Sequence, residues 1–439
     1  MNSKRLLLLF IGFILLISYL LRADNLYTWP RKGATFDEYA WTWQGINLIK
    51  NGIPISWSPH PQYTDKKLVI YQDTAFYVVK PYLEHPPVFG LVAGSYAMLN
   101  GASDMYQLSL EDIRGLALLL GVLSVFILFV LLAEIYDKKV AVLGAILYAT
   151  VPSVVIGSRL VQNENFFIPL WLFSLYLIAK FLKNKRSLYR NLAAFTCGIL
   201  VLAKVPWAAA GFSIVLIFLS TKRIGDLYKF LLIFVPIGLL YFAYGFYYDK
   251  DLFLSLWGLQ LNRYDISFNS IFALFQKPYL TDRFYTDGWI YFGWFSLFLL
   301  FVKDQKKHLI LISAVFSYFL VFLSAIPDEA GHGWYRYPFY PFLISATALF
   351  LREYFTKNFI TTFFFIVFIG TSLLQLTWAS VFGFSYPFFR LIIASWLLAL
   401  LPYFIENKKI VKIGKASSYL WLVAFLFMNI WAVLLYTEQ

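Results

Sequence analysis

Residues 34–52 read Ala34-Thr-Phe-Asp-Glu-Tyr-Ala-Trp-Thr-Trp-Gln-Gly-Ile-Asn-Leu-Ile-Lys-Asn-Gly52 and follow the first of many apolar runs in the chain. The adjacent acids Asp37 and Glu38 stand out because charges in membrane-embedded chains are costly and usually mark functional sites. Apolar residues at helical spacing after the acids, and the stop signal Asn51-Gly52, predict a short amphipathic helix at the membrane interface. Thr35 and Glu38 have the spacing of a capping box for this helix.

The composition of the whole chain is that of a polytopic membrane protein. Of its 439 residues, 60% are hydrophobic, 21% are aromatic and only 14% are charged, whereas soluble domains contain about 25% charged residues. The mean hydropathy is +0.67, and many apolar runs approach the roughly 20 residues that cross a bilayer as a helix. We therefore predict an all-α membrane protein.

About thirteen apolar segments are predicted to cross the membrane, within one domain that covers residues 1–439. The segments are residues 6–21, 116–133, 140–156, 166–182, 192–203, 207–219, 230–247, 289–301, 309–326, 337–351, 360–376, 391–404 and 419–436. A long first outer loop with interfacial helices covers residues 23–113, and a second large outer loop covers residues 248–288. A shorter apolar piece, residues 88–99, follows His85-Pro86-Pro87 and is predicted to pack at the outer face.

The basic residues orient these helices. Short loops rich in Lys and Arg fall on one side of the predicted topology, which the positive-inside rule assigns to the cytoplasm. The same rule explains the excess of 37 basic over 24 acidic residues without a nucleic-acid partner. We predict a multi-pass protein of the cytoplasmic membrane, in contact with membrane lipids, whose functional groups face the extracytoplasmic side.

Several common chemistries lack their sequence signatures. The single Cys197 excludes an intramolecular disulfide and a cysteine-based metal cluster. The chain contains neither a Gly-rich phosphate loop between a strand and a helix nor an HExxH motif. These observations argue against nucleotide-driven transport and zinc proteolysis.

Three acids are the candidate catalytic groups. Asp37 is favoured as a general base, because Glu38 is also explained by capping and by the helix dipole. Glu164 borders a predicted span at the outer face, where an ion pair with Arg159 is the alternative explanation, and neighbouring Asn163 is an alternative second polar group. Whether the three acids hold a divalent metal ion stays open, since they form no recognisable cage of ligands.

Other isolated polar residues are candidate substrate ligands. Lys204 interrupts an apolar hairpin and would neutralise a lipid phosphate, with snorkelling to the headgroups as the alternative. Arg336 offers a planar fork suited to phosphate, with aromatic neighbours for a sugar face. The remaining candidates are also expected at the outer face: His85, Arg159, Arg263, Asp287, His332 and Tyr335. Each of these also has an ordinary explanation as a loop or anchoring residue.

The order of these motifs resembles that of the GT-C membrane glycosyltransferases, in the branch of the protein O-mannosyltransferases and the lipid A aminoarabinose transferases (glycosyltransferase families 39 and 83). The resemblance covers about residues 5–350. The matching motifs are Asp37-Glu38, His85-Pro86-Pro87, Arg114, the loop 159–164, Lys204-Val-Pro206 and Tyr335-Arg-Tyr-Pro-Phe-Tyr-Pro341.

The resemblance implies an inverting glycosyltransferase that moves a monosaccharide from a polyprenyl-phosphate donor to a lipid, glycan or protein acceptor. In this scheme Asp37 would be the base and Glu38 its partner, while Lys204 and Arg336 would hold the donor phosphate. Glu164 stands where relatives place a second outer-loop acid, although its surroundings differ. A secondary transporter, or a lipid-linked glycan flippase or ligase, is the alternative; a transporter would show paired repeats and charges near the midplane.

Overall fold

The computed structural model of the chain describes residues 3–262, 269–276, 278–325 and 332–438. Its helices are α1 (Ser3–Ala23), α2 (Asp37–Asn51), α3 (Val88–Leu99), α4 (Leu110–Ile135), α5 (Lys138–Thr150), α6 (Pro152–Gly157), α7 (Asn163–Asn184), α8 (Ser187–Val201), α9 (Ala208–Ser220), α10 (Ile224–Asn262), α11 (Asn269–Gln276), α12 (Gly288–Val302), α13 (Leu309–Ala325), α14 (Tyr340–Glu353), α15 (Phe359–Leu374), α16 (Ser380–Phe382), α17 (Tyr386–Phe404) and α18 (Lys408–Leu434). Short 3₁₀ helices span Val205–Trp207 and Gly333–Phe339, and a π-helical turn spans Gln375–Ala379.

Each apolar segment that the sequence predicts as a span overlaps helical structure, although segment 140–156 is divided between α5 and α6. Within the described ranges, seven helices are long and apolar enough to cross a membrane: α1, α4, α7, α10, α15 with its continuation to Phe382, α17 and α18. The apolar helices α3, α9, α12 and α13 are shorter. The predicted all-α polytopic class is confirmed, and the chain is a multi-pass membrane protein.

A small antiparallel sheet in the first long loop departs from the all-helical expectation. Strands β1 (Ser56–Trp57), β2 (Lys66–Tyr71) and β3 (Thr74–Val79) form it in the order β1-β3-β2. A two-residue turn joins β2 to β3, and both of its residues, Gln72 and Asp73, have positive φ, as hairpin turns of this length favour. Period-two alternation over so few residues is a weak signal, and we did not predict the sheet.

Helix α10 is longer than the predicted span. It continues past Tyr247 to Asn262, with a single non-helical residue at Asp249 (φ −164°, ψ 103°). The first part of the predicted large loop, residues 248–288, is therefore helical. The polar side chains of this segment do not stop the helix, because polar residues are compatible with helical structure outside the apolar core of a membrane.

Helix α2 is buried rather than lying on a surface. All of its residues from Glu38 to Asn47 are buried. It crosses α3 so closely that a Cβ atom on Gly45 would lie 1.8 Å from the carbonyl oxygen of Gly90. The helix and its end at Gly52, where φ is 65°, are as predicted. These glycines let α3 pack directly on α2, and the placement of α2 at the membrane interface stays a prediction.

An ion pair, and not the predicted capping box, holds the start of α2. The N-cap is Phe36, without a side-chain cap, and the Thr35 hydroxyl accepts a hydrogen bond from the Asp37 N–H at 3.2 Å. The Glu38 carboxylate instead accepts two hydrogen bonds from Arg114 of α4, from Nε at 3.1 Å and from Nη2 at 2.9 Å. The capping prediction was wrong because a two-pronged guanidinium is a stronger partner for a buried carboxylate than a backbone N–H is.

The Glu38–Arg114 ion pair connects several parts of the chain. The Val161 N–H donates to Glu38 Oε1 at 3.0 Å. The Arg114 Nη1 donates to the carbonyl oxygens of Leu26 and Pro30 at 3.0 and 2.7 Å. Both charged side chains are buried, with exposed fractions of 1% and 0%. Helices α2 and α4, the connection after α1 and the loop before α7 thus meet at one carboxylate.

Replacing Arg114 by Met is expected to destabilise the protein by about 3–5 kcal/mol, because it leaves the Glu38 carboxylate buried without its cation. Thermal unfolding in detergent measures the effect as a lowered midpoint. The double variant Glu38→Met/Arg114→Met should recover part of the loss, since it removes both buried charges. Arg186→Met, at an exposed position, serves as the matched control. An Arg114→Met variant that unfolds at the wild-type temperature would show that the pair does not hold these elements together.

Candidate active site

A cavity of about 1370 Å³, including the space at its open side, lies beside the start of α2. We call it the polar cavity. Its lining includes the polar residues Thr35, Asp37, His60, Tyr82, Glu84, His85, Lys204, Gln260, Asp282, His332 and Tyr335. These side chains come from widely separated parts of the sequence, so the fold itself assembles the site.

A second cavity, of about 840 Å³, adjoins the polar cavity. We call it the apolar groove. The two cavities share the lining residues Glu84, His85, Lys204, Pro206, Gln260 and Ala325. The rest of the groove is lined by Leu83, Pro86, Val205, Tyr241, Leu256, Trp257, Leu261 and Ser324. Lys204 therefore stands where a polar compartment meets an apolar one.

The neighbours Asp37 and Glu38 face different surroundings. Successive residues of an α-helix point about 100° apart, so the two adjacent acids are directed to different sides of α2. Asp37 is half-buried and lines the polar cavity. Glu38 is turned into the protein toward Arg114 and does not line the cavity. Glu38 thus holds the helix in place, and Asp37 is the acid that a substrate can reach.

The surroundings of Asp37 make it a stronger base than an ordinary carboxylate. Burial raises the pKa of its carboxyl group, and the nearby charges of Glu164 and Glu84 raise it further. The charge of Lys204 and a hydrogen bond from Gln162 lower this pKa but do not cancel the increase. A general base is more effective when its pKa lies closer to the working pH.

Lys204, which lines both cavities, is held in an ion pair with Glu164. Its Nζ donates to Glu164 Oε1 at 2.9 Å and lies 5.3 and 5.1 Å from the ring centres of Trp207 and Tyr335. Burial of the amine disfavours its charge, but Glu164 outweighs this effect, and the pKa of Lys204 is raised. Lys204 is therefore a permanent cation with N–H donors left over for an anion.

Asn163 and Glu164, which the sequence left as alternatives, have different contacts. Asn163 donates to the Ala203 carbonyl at 2.9 Å and accepts from Trp207 Nε1 at 2.6 Å. It therefore holds the backbone of the turn that carries Lys204. Glu164 is fully buried and contacts the Lys204 amine itself. Of the two, Glu164 is the residue next to the candidate anion ligand.

His85, His332 and Tyr335 line the polar cavity. The ring of His85 lies 4.6 Å from that of Trp41, and its carbonyl accepts from Gln44 Nε2 at 3.1 Å. The ring of His332 stacks on Trp334, with 4.3 Å between the ring centres and an angle of 5° between the planes. Aromatic surfaces therefore stand beside the charged groups, an arrangement that suits a sugar ring with one apolar face.

Two other candidates are structural in their contacts. Arg159 is fully buried and lies outside both cavities, where it donates to the Leu21 carbonyl at 2.7 Å and secures the end of α1. Asp287 caps α12, because its carboxylate accepts from the N–H groups of Trp289 and Ser153 at 2.9 and 3.0 Å. Arg263 lies outside the described residues.

Arg336 does not join Lys204 at the polar cavity, contrary to our expectation. Its Nη2 donates to the Ala273 carbonyl at 2.7 Å, and it lines a separate small pocket with Asp287. Residues Gly333–Phe339 form a 3₁₀ helix, in which consecutive side chains point about 120° apart. Trp334 and Tyr335 line the polar cavity, whereas the Arg336 guanidinium is held on the other side of this helix by the carbonyl of Ala273 in α11.

A metal ion held jointly by Asp37, Glu38 and Glu164 does not fit this geometry. Arg114 occupies the Glu38 carboxylate, and Lys204 occupies one oxygen of Glu164. Across the part of the chain that the structure describes, no group of three or more His, Cys, Asp or Glu side chains has the arrangement of a metal site.

Sequence reasoning missed Glu84 and His60. Both line the polar cavity, and Glu84 Oε2 lies 3.3 Å from His60 Nε2. Glu84 had a usable signal, because it is the single acid between Asp73 and Asp104 and directly precedes His85-Pro86-Pro87. His60 had no such signal in the sequence, since its proximity to Glu84 depends on the sheet, which was not predicted.

Comparisons with known proteins agree with this architecture. Residues 84–247 match the family described as dolichyl-phosphate-mannose-protein mannosyltransferase. The structure of ArnT from Cupriavidus metallidurans, bound to undecaprenyl phosphate, is similar with a TM-score of 0.60 and 13% identity, over 99% of this chain and 77% of that chain. The oligosaccharyltransferase of Archaeoglobus fulgidus is similar with a TM-score of 0.52 and 14% identity. That match covers 95% of this chain but only 56% of the oligosaccharyltransferase chain.

A search of curated proteins found no match. The structural matches nevertheless confirm the resemblance that the order of motifs indicated: the chain has the fold of the GT-C membrane glycosyltransferases. At this level of sequence identity the matches establish only the fold, so the role of each site residue must be inferred from its own contacts.

Proposed function

We propose that this GT-C membrane protein is an inverting glycosyltransferase, which moves a monosaccharide from a polyprenyl-phosphate donor to an acceptor at the outer face of the cytoplasmic membrane. One observation carries the proposal: a polar cavity that contains Asp37 joins an apolar groove at the half-buried cation Lys204. A polyprenyl-phosphate sugar has the same three parts in the same order, namely a polar sugar, an anionic phosphate and an apolar chain.

The apolar groove supports the assignment of a lipid-linked donor. Val205, Leu256 and Trp257 offer an apolar wall for isoprenoid units, whose burial is favourable at about 25 cal/mol per Å². Lys204 would then contact the phosphate, while Glu164 behind it fixes the direction of the amine. The similar ArnT structure contains undecaprenyl phosphate, which agrees with a ligand of this chemical class.

The reaction needs a base and a stabilised leaving group. In our scheme the Asp37 carboxylate takes the proton from the acceptor hydroxyl or amine, whose oxygen or nitrogen attacks the anomeric carbon. The bond between that carbon and the phosphate oxygen breaks, and its electron pair leaves with the polyprenyl phosphate. Attack from the side opposite the phosphate inverts the anomeric configuration. Lys204 stabilises the negative charge that develops on the leaving oxygen.

Asp37→Asn is expected to lower sugar transfer on the order of 100- to 10,000-fold, because an amide cannot take the acceptor proton. The measurement is transfer from radiolabelled polyprenyl-phosphate sugars by purified protein, with the binding of polyprenyl phosphate measured in parallel. Binding should change little. Asp73→Asn makes the same change at an exposed turn and should transfer at the wild-type rate. Undiminished transfer by Asp37→Asn would remove Asp37 as the base.

The transfer rate should fall on acidification with a midpoint above pH 4, the ordinary range of an Asp. The sign follows from burial, which raises the pKa of Asp37, so the active carboxylate is lost at a higher pH than usual. Gln162→Met removes a hydrogen bond that lowers this pKa and should move the midpoint to still higher pH. The pH profile at saturating donor gives both values. A midpoint that Gln162→Met leaves unchanged would mean that another group controls the profile.

Cysteine labelling tests the face of the membrane. The single native Cys197 is fully buried, so an introduced cysteine is read without background. In right-side-out vesicles a membrane-impermeant maleimide should label Pro59→Cys, which lines the polar cavity. It should label Lys306→Cys, at an exposed position of a Lys-rich loop, only after permeabilisation. The reverse pattern would place the cavity on the cytoplasmic side.

A further inference from the structure

Glu84 is a buried carboxylate with an oxygen that has no hydrogen-bond partner. Its side chain is 7% exposed, and its Oε2 lies 3.3 Å from His60 Nε2. Its Oε1 is buried and has no hydrogen-bond partner. Such atoms are rare in folded proteins, because an unsatisfied buried acceptor loses its hydration without compensation. Glu84 lines the polar cavity, so a bound molecule can supply the missing donor.

The backbone around Glu84 is fixed on both sides. The N–H of Leu83 donates to the Tyr63 hydroxyl at 3.0 Å, and the carbonyl of Leu83 accepts from the Tyr241 hydroxyl at 2.9 Å. The Tyr82 N–H donates to the Pro54 carbonyl at 2.8 Å. These bonds fix the backbone from which the Glu84 side chain extends, and such support for a binding group favours selection of a ligand.

His60 is anchored independently of Glu84. Its N–H donates to the Ser58 hydroxyl at 3.1 Å, and the Ser58 N–H donates to the carbonyl of Tyr77 in β3 at 2.9 Å. The small sheet thus brings the imidazole to Glu84 Oε2. His60 holds one carboxylate oxygen in place and leaves the other for a ligand.

Donor and acceptor capacity stand side by side in the cavity wall. Trp41 also lines the polar cavity, and its indole Nε1 is a buried donor with no hydrogen-bond partner. Sugar hydroxyls donate and accept hydrogen bonds at once, so a sugar would satisfy both the indole and the Glu84 oxygen. The rings of Trp41 and Tyr82 pack around His85, with ring centres 4.6 and 6.2 Å from it. All three rings line the polar cavity, so the expected ligand has polar edges and an apolar face, as a pyranose does.

We infer that Glu84, positioned by His60, determines sugar specificity by accepting a hydrogen bond from a hydroxyl or amino group of the donor sugar. The inference rests on the proposed function, which puts the phosphate at Lys204. Glu84 and Lys204 both line the polar cavity and the apolar groove. The sugar is bonded directly to the phosphate, so it occupies the part of the polar cavity next to that junction. A sugar that lacks the matching donor leaves the Glu84 oxygen unsatisfied and is rejected.

The test compares the binding of donors with and without sugar to the full-length protein in nanodiscs. The probes are polyprenyl phosphate itself, polyprenyl-phosphate mannose, glucose and galactose, and the singly deoxygenated forms of whichever sugar binds tightest. Glu84→Gln should leave the Kd of sugar-free polyprenyl phosphate within twofold of the wild type. It should raise the Kd of the sugar-bearing form at least tenfold, and it should abolish the wild-type discrimination against one deoxygenated form.

Two further variants separate positioning from folding. His60→Ala should reproduce part of the Glu84→Gln effect, and His60→Gln, which keeps a donor toward Glu84 Oε2, should restore sugar binding. Glu111→Gln, the same change at an exposed position of α4, should bind every probe as the wild type does.

Either of two contrary results with Glu84→Gln overturns the inference. Equal weakening of the sugar-free and sugar-bearing probes would assign Glu84 to phosphate binding or to folding. Unchanged binding of both probes would leave Glu84 without a role in recognition. If the wild-type protein does not bind polyprenyl phosphate at all, the donor assignment under the proposed function fails, and the inference fails with it.

Discussion

The buried ion pair between Glu38 and Arg114 is the interaction on which the site depends. It joins α2 to α4, and through the Val161 N–H and the carbonyl of Pro30 it also fixes the two loops beside them. Because adjacent helical residues diverge by about 100°, fixing Glu38 inward also fixes Asp37 toward the polar cavity. The Glu38 carboxylate is thus used for structure, and this holds the neighbouring Asp37 in position at the cavity.

The other buried charges follow the same rule of local compensation. Lys204 is paired with Glu164, and Arg159 is held by the Leu21 carbonyl. Among the ion pairs of the described residues, none includes Asp37. The Oε1 atom of Glu84 likewise has no hydrogen-bond partner. Asp37 and Glu84 both line the polar cavity, so a bound substrate can supply the partners that these two acids lack.

The helices could be predicted from the sequence more reliably than the contacts between side chains. Long apolar runs and basic loops predicted the helices, because both signals are local. Lys204 could be chosen for the same reason, as a lone charge within an apolar hairpin. The partner of Glu38 could not be predicted, because Arg114 lies 76 residues away and a capping box explained Glu38 equally well. The position of Arg336 could not be predicted because it depends on a hydrogen bond to the carbonyl of Ala273, which lies 63 residues away. His60 was missed because the sheet that positions it is short.

The central claim is that the junction of the two cavities at Lys204 holds the phosphate of a lipid-linked sugar donor. A cryo-EM structure of the protein with bound polyprenyl phosphate tests it most directly. We expect the phosphate within hydrogen-bonding distance of Lys204 Nζ, with the isoprenoid chain along Val205, Leu256 and Trp257 and the side of the phosphate toward Asp37 left open for the sugar. Phosphate density beside Arg336, or a lipid chain that lies outside the apolar groove, would contradict the account.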